Sequence, residues 1–431
     1  MKKSRIVADG DKLKSIRKKY GLKQDEISGN DITRNLISEI ETGAANMTKK
    51  TAEIIIKNLK EMASKKGFKI TETVEYLMEN QIVQATKILD NYITELKKLL
   101  IFKDDSFIET LRDAKSFLAD WNINEKATTI YEVAGDYFYI KNEMYESIMY
   151  YEKALTAVGK LRPSQELLQI FSKITKAYIH SGEYNKAIEN TTFVIEHFDN
   201  LSSVDIIGFN YNRAWTYYLL KKYELALADI DKIEKLLNKN DTQTYFTILD
   251  TKAICLKKIE RYDESIAIYR SLLDALNDNQ LDKKLALHIN ITEAYMALSD
   301  QDRISKEFTI VQRELPYLNS DSQYEADIYF EVAKIYEYLD KKEEASKYYI
   351  KAKDVSKKKK NYVLLNSILY KLMNVTTMTE NVDLIKDEVF KLSTKQDKLT
   401  DKLIYKLMNF YIANNNIDRV KEINNFALQF N

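Results

Sequence analysis

Apolar positions in the first sixty residues recur at helical spacing and are punctuated by glycine. Leu13, Ile16 and Tyr20 make one stripe, stopped by Gly21. Lys23–Ser28 (KQDEIS) reads as a short second helix, and Gly29, Asn30 and Asp31 turn the chain. Within Thr33–Gly43 (TRNLISEIETG), Leu36, Ile37 and Ile40 form the inward stripe of a third helix. Arg34, Asn35, Ser38 and Glu39 project from its other faces, and Gly43 stands where a left-handed exit turn belongs. Ala52, Ile55 and Leu59 continue an apolar face in a closing helix.

Farther on, residues 60–70 (KEMASKKGFKI) are basic and lead out of this bundle. Val74, Leu77, Met78, Ile82, Ala85, Leu89, Tyr92, Ile93 and Leu96 then keep helical spacing through a long amphipathic segment. Asp105–Leu118 supplies another helix. This stretch reads either as a degenerate first repeat or as a linker that also serves dimerisation. From about residue 125 the chain aligns on itself with a period of about 40. Tyr131-Ala134-Gly135-Phe138 is followed by Ser147, Tyr151 and Ala154, and Leu249-Lys252-Ala253-Leu256 by Ser265, Tyr269 and Leu272. Tyr329-Val332-Ala333-Tyr336 is followed by Ala345, Tyr349 and Ala352. Residues 360–395 are a weak copy, and Ile404-Leu407-Met408-Tyr411 opens the last unit.

Composition supports helix throughout: two prolines and nine glycines in 431 residues, five of those glycines in the first 67. Charge is segregated. Residues 1–67 carry 16 Lys/Arg against 9 Asp/Glu, a net of +7, and the remainder 50 against 56, a net of −6. A basic head on a near-neutral chain suits attraction to a phosphate backbone and argues against a merely solvated helical bundle. MKKSRIVADGDK has no apolar stretch after its charges, and no run approaches membrane-spanning length. The single cysteine, Cys255, excludes an intramolecular disulfide and suits a reducing cytoplasm; its apolar context reads as a small buried hydrophobe.

Two short helices, a tight turn and a helix with a polar start follow the order of a helix-turn-helix. Leu22-Lys23-Gln24-Asp25-Glu26-Ile27 and Ile37-Ser38-Glu39-Ile40-Glu41-Thr42-Gly43 resemble the XRE class of such domains. The resemblance implies a structural pair between Arg17 and Glu41. It places Gln24 against DNA at the start of the second helix, and Arg34, Asn35 and Glu39 at base-reading positions. Thr33, Thr42 and Asn46 lie near its phosphate contacts, with Lys23 and Ser38 completing the DNA-facing set. The turn SGNDITRN departs from the commonest form, and Glu39 would reject phosphate but accept from a cytosine amine.

The repeat spacing resembles the tetratricopeptide repeat, although its period exceeds that family's usual ~34 residues. A small residue at the eighth position (Gly135, Ala214, Ala253, Ala333) lets paired helices approach, and an aromatic at the eleventh wedges between them. Gly182 falls at an intra-repeat turn, and Pro316 at the family's terminal proline. The expected architecture is all-α: a helix-turn-helix domain over 1–66, the connector over 67–124, and a right-handed tetratricopeptide superhelix over 125–431. The family's groove positions fall on Asp136, Lys176, Tyr211, Asn212, Trp215, Asp250, Asn290, Glu293 and Lys334. The amides of Asn212 and Asn290 suit an extended backbone, and Lys176 or Lys334 a carboxylate.

Together the two parts resemble the RRNPP quorum-sensing regulators of Gram-positive bacteria. That resemblance implies a cytoplasmic homodimer or tetramer that binds double-stranded DNA at a palindromic operator. Its array would bind a short signalling peptide that changes dimer geometry. The alternative is a repressor whose array binds a protein partner or only dimerises. Three scattered histidines, His180, His197 and His288, show no metal-ligand spacing, and no phosphate loop or nucleophile motif is present. No enzyme activity and no cofactor are expected. Lys357–Lys360 reads as a solvated helix end.

Overall fold

The computed structural model describes residues 6–158, 164–238, 241–277, 279–376, 378–396 and 398–430. Among these the chain is helical without a strand. It divides into two compact units, Met1–Thr216 and Tyr217–Asn431.

The first unit begins with α1 (Asp9–Lys19), α2 (Gln24–Ser28), α3 (Arg34–Thr42), α4 (Lys49–Lys66) and α5 (Val74–Met78). Thr33 and Thr48 cap α3 and α4, their hydroxyls accepting from Leu36 N at 3.2 Å and Thr51 N at 3.1 Å. Gly43 (φ 79°) and Gly67 (φ 73°) end the same two helices in the left-handed region, where a side chain would be strained. The core consists of the expected stripes (Leu13, Ile16, Ile37, Ile40, Ala52, Ile55 and Leu59) and also takes in Leu77. Phe68, Ile70, Val74 and Met78 pack against it, so this core continues past residue 66.

The connector is helical and packed at both ends. α6 (Gln81–Phe102) and α7 (Phe107–Trp121) pair, and both share a core with α8 (Asn124–Ile140) through Leu89, Leu96, Leu111, Ala114, Ile130 and Ala134. Phe107 stacks on Tyr137 with ring centroids 3.9 Å apart. Then follow α9 (Met144–Val158), α10 (Gln165–Ser181) and α11 (Tyr184–His197), and α12 (Ser203–Leu219) runs across the boundary between the units.

The second unit continues with α13 (Tyr223–Glu234), α14 (Thr242–Lys258), α15 (Tyr262–Ala275), α16 (Leu281–Ala297) and α17 (Gln301–Glu314). It ends with α18 (Glu325–Tyr338), α19 (Lys342–Lys358), α20 (Tyr362–Val375), α21 (Thr379–Gln396), α22 (Asp401–Ala413) and α23 (Ile417–Ala427). Pro316 sits in a 3-10 turn, Leu315–Tyr317, after α17. The weak copy over 360–395 thus forms a helix pair like the others.

One turn recurs at the tip of the hairpins. A residue with positive φ follows the end of seven first helices, directly at Gly182 and two positions on at Asn142, Lys221, Glu260, Ser299, Asp340 and Asn415. In each case the backbone N–H of the next residue bonds back to the residue at the eleventh repeat position or its equivalent. Glu143 N reaches Phe138 O at 2.9 Å, Arg261 N Leu256 O at 2.9 Å, Lys341 N Tyr336 O at 2.9 Å and Asn416 N Tyr411 O at 2.8 Å. This is Schellman closure, and its hydrogen bonds offset the roughly 1–2 kcal/mol that a left-handed non-glycine residue costs. Only Gly182 announces the turn by its residue type. Within the pairs, a Cβ on Gly135 would collide with the ring of Tyr151, so the small eighth residue is sterically required there.

Candidate nucleic-acid interface and array cavity

α3 is held from behind by a mostly buried ion pair. Arg17 Nε donates to Glu41 Oε1 at 2.6 Å and Nη2 to Oε2 at 2.8 Å, while Nη1 caps Leu22 O at 3.2 Å. Gln24 Nε2 adds a third bond to Glu41, at 3.0 Å. Burial disfavours the Glu41 carboxylate, but the Arg17 and Gln24 hydrogen bonds outweigh it and hold the group below its usual range. Gln24, expected against DNA, therefore engages its amide nitrogen inside the bundle.

The opposite face of α3 is open. Thr33, Arg34, Asn35, Glu39, Thr42 and Asn46 are exposed, Ser38 is half-buried, and Lys23 is exposed beside them at the start of α2. Arg34 Nε lies 3.4 Å from Asp25 Oδ1, a surface pair worth ~0–1 kcal/mol that a stronger partner can replace. Thr42 Oγ1 donates to Ser38 O at 2.9 Å and Glu39 O at 3.1 Å and closes the last turn of α3. The exposed set thus lies together on and beside one helix.

Two residues that the periodicity did not single out, Gly10 and Lys12, hold α1 against its neighbours. Gly10 lies where α1 crosses the end of α3; a Cβ there would collide with Ile40 O and sit 3.0 Å from Glu41 O. Lys12, 1% exposed, sends its ammonium to Tyr76 O at 3.1 Å and to Glu79 O. Burial lowers its pKa, with Asp9 and Glu79 opposing. Beside it, Val7 N donates to Gln84 Oε1 at 3.1 Å, and Gln84 Nε2 donates to Val7 O at 2.9 Å and Glu79 O at 3.1 Å. The first turn of α6 is thereby latched to the N-terminal bundle.

The expected groove residues fall in both units. In the first, Asp136 accepts from Tyr151 Oη at 2.7 Å and Lys173 Nζ at 2.7 Å, and Lys173 also reaches Glu132 at 2.6 Å. Lys176 is exposed on α10, and Tyr211, Asn212 and Trp215 are half-buried on α12. In the second unit Asn290, Glu293 and Lys334 come together. Lys257 Nζ bonds Asn290 Oδ1 at 2.8 Å and Glu293 Oε2 at 2.7 Å; Lys334 Nζ bonds Glu293 Oε1 at 3.0 Å and also Glu331. Lys334 is thus already engaged by two carboxylates. Burial raises the Glu331 carboxyl, and neighbouring Glu293 raises it further. Asp250 is pushed up to about 6 by burial, with only Lys257 opposing. Cys255 is fully buried, its thiol pushed up to about 12. Lys357, from the basic run, pairs with Glu388 at 2.8 Å.

An opening in this wall lies farther along the array. A cavity of about 790 Å³ is framed by the first helices of three consecutive pairs, α18, α20 and α22. Phe330, Asn366, Lys371, Lys402, Lys406 and Asn409 line it. Lys402, Lys406 and Asn409 lie on the helix that opens the last repeat unit and Phe330 on that of the Tyr329 unit, whereas the α20 residues were hidden in the weak copy.

A tetratricopeptide-repeat family model matches residues 326–359, the α18–α19 pair. No curated protein sequence matches the chain. Among solved structures, it is similar to a tetratricopeptide repeat protein from Parabacteroides merdae. The identity is 21%, covering 65% of this chain and 99% of that one, with a TM-score of 0.48. A Rap protein complexed with Competence and Sporulation Factor is 12% identical over 80% of this chain and 96% of its own, TM-score 0.45. PlcR of Bacillus thuringiensis, in complex with the peptide PapR7 and DNA, is 17% identical over 70% of this chain and 99% of its own, TM-score 0.32. The fold and the matched repeat define a helical protein carrying tetratricopeptide-type repeats.

Proposed function

We propose that the chain is a DNA-binding transcriptional regulator of the RRNPP kind, acting as a cytoplasmic homodimer on a palindromic operator. The observation that carries this reading is the open face of α3. Thr33, Arg34, Asn35, Glu39 and Thr42 are presented to solvent on a helix buttressed by Arg17 and Glu41. The N-terminal net charge of +7 supplies the sequence-independent attraction. In a two-fold dimer, two such helices would enter successive major grooves ~34 Å apart.

The repeat array is the sensor in this reading, and its ligand is a short peptide. The α18–α20–α22 cavity supports this: about 790 Å³, walled by amides, tyrosines and lysines, is a size and chemistry that encloses part of an extended chain. A peptide that prefers one dimer geometry shifts operator affinity by no more than its differential binding energy.

The test is selection of bound fragments from a randomised duplex pool, followed by binding titrations at several salt concentrations. Enrichment of an inverted repeat with half-sites one helical turn apart supports the reading. Recovery of unenriched sequence, with no salt dependence, sinks it.

A further inference from the structure

Four partly buried lysines on the first helices of the array are balanced by carboxylates. Lys173 is neutralised by Glu132 and Asp136, Lys257 by Glu293, Lys334 by Glu293 and Glu331, and Lys371 by Glu337 at 3.2 Å. Lys406 is held differently. Its ammonium donates to Tyr370 O at 2.9 Å and to Asn374 Oδ1, and lies 3.7 Å from the centre of the Tyr370 ring. These partners are uncharged, and among the described residues no carboxylate lies within ion-pair distance of it. Lys371, on the same cavity wall, adds like charge.

A half-buried ammonium held by neutral oxygens keeps a full charge to be balanced. It also keeps one N–H beyond the two already used. Lys402, exposed on the neighbouring turn of α22, brings a second cation to the same cavity, with no carboxylate partner among the described residues. Asn366 accepts from Thr400 Oγ1 at 3.0 Å, which leaves its amide N–H groups for a ligand, and Asn409 is exposed on the far side. An ammonium pair flanked by amides matches an anionic group attached to peptide units. Burial and the Lys371 charge lower the Lys406 pKa, against the pull of Glu337, and an incoming anion would reverse that.

We propose that the cavity between α18, α20 and α22 binds a carboxylate of a short peptide, with Lys406 as its counter-ion and Lys402 as a second contact. This rests on the peptide-sensor reading. The carboxylate comes from the peptide's C-terminus or from an Asp or Glu side chain.

The experiment uses the full-length protein and two randomised heptapeptide pools of equal composition, one with a free C-terminus and one amidated. Retained peptides are identified by affinity selection and mass spectrometry. Retention of the free-acid pool about tenfold above the amidated pool assigns the C-terminal carboxylate. Equal retention with enrichment of Asp or Glu assigns a side chain. In either case Lys406→Met must abolish the preference and Lys406→Arg must keep it. Lys402→Met, on an exposed residue, should reduce the preference without touching the fold. Equal retention without acidic enrichment, unchanged in Lys406→Met, overturns the carboxylate site while leaving a peptide sensor standing. Retention of neither pool overturns both.

Discussion

The Arg17 guanidinium grips the Glu41 carboxylate through two parallel bonds, at 2.6 and 2.8 Å, joining α1 to the last turn of α3. Neither group is free for a ligand: their shared work is to hold α3. Removing one partner strands the other charge in a mostly buried place. Arg17→Met should destabilise the N-terminal bundle by about 3 kcal/mol, seen as faster amide exchange in α1–α4 with the array unaffected. Because the folded Glu41 pKa is depressed, its contribution is present above the ordinary carboxylate range. It is lost as pH falls through the lowered value.

Arg34 and Asn35 should read bases, whereas Lys23 should contact only the backbone. Arg34→Ala or Asn35→Ala should cost about 1–3 kcal/mol at the selected operator and relax its sequence preference. Lys23→Ala should weaken all duplexes alike and reduce the salt slope by about 1. Unchanged operator discrimination in Arg34→Ala, measured by anisotropy titration, would remove α3 from the reading role.

Tyr151, Tyr269 and Tyr349 stand sixteen residues after the small residues Gly135, Ala253 and Ala333 of their repeats. Tyr151 Oη donates to Asp136 at 2.7 Å and Tyr349 Oη to Glu337 at 2.6 Å, but the fully buried Tyr269 hydroxyl has no hydrogen-bond partner among the described residues. Where the other repeats carry those carboxylates, this one has Ile254 and Lys257. Tyr269→Phe should therefore stabilise the array by about 1 kcal/mol and Tyr349→Phe destabilise it by about 2 kcal/mol, read from urea midpoints. Equal effects of the two substitutions would refute the distinction.

Asp250 should make stability depend on pH. Its folded pKa of about 6 lies above the unfolded value of 3.8, so the ionised carboxylate is a cost borne above pH 6. That cost fades as pH falls through 6. Asp250→Asn should stabilise the protein by up to about 3 kcal/mol at pH 7.5 and by much less at pH 4.5. A gain independent of pH, in denaturation at both values, would mean that the carboxyl is not the source.

Much of the architecture was legible in order along the chain. Apolar stripes such as Leu36, Ile37 and Ile40 mark a helix because burial on one face needs only local spacing. The repeat was legible because each hairpin buries the same small and aromatic positions, Ala253 and Tyr269 or Ala333 and Tyr349. The Schellman turns were legible only at Gly182; elsewhere Lys221, Glu260 and Asp340 adopt the same conformation without a residue type that requires it. The weak copy was hidden because α20 and α21 bury aliphatic residues such as Leu369 and Val389 in place of the usual aromatics.

Helix existence, repeat register and the exposed face of α3 depend on neighbours three or four positions apart, and periodicity alone determines them. Which polar groups find each other depends on residues far apart in the chain, and only the folded molecule decides it. Gly10 matters because Ile40 O passes against it, Lys12 because Tyr76 O and Glu79 O converge on it, and Lys334 is engaged because Glu293 and Glu331 flank it. Lys406 differs from Lys173, Lys257, Lys334 and Lys371 for the same reason: among the described residues no carboxylate lies within ion-pair distance of it, and no local pattern encodes that.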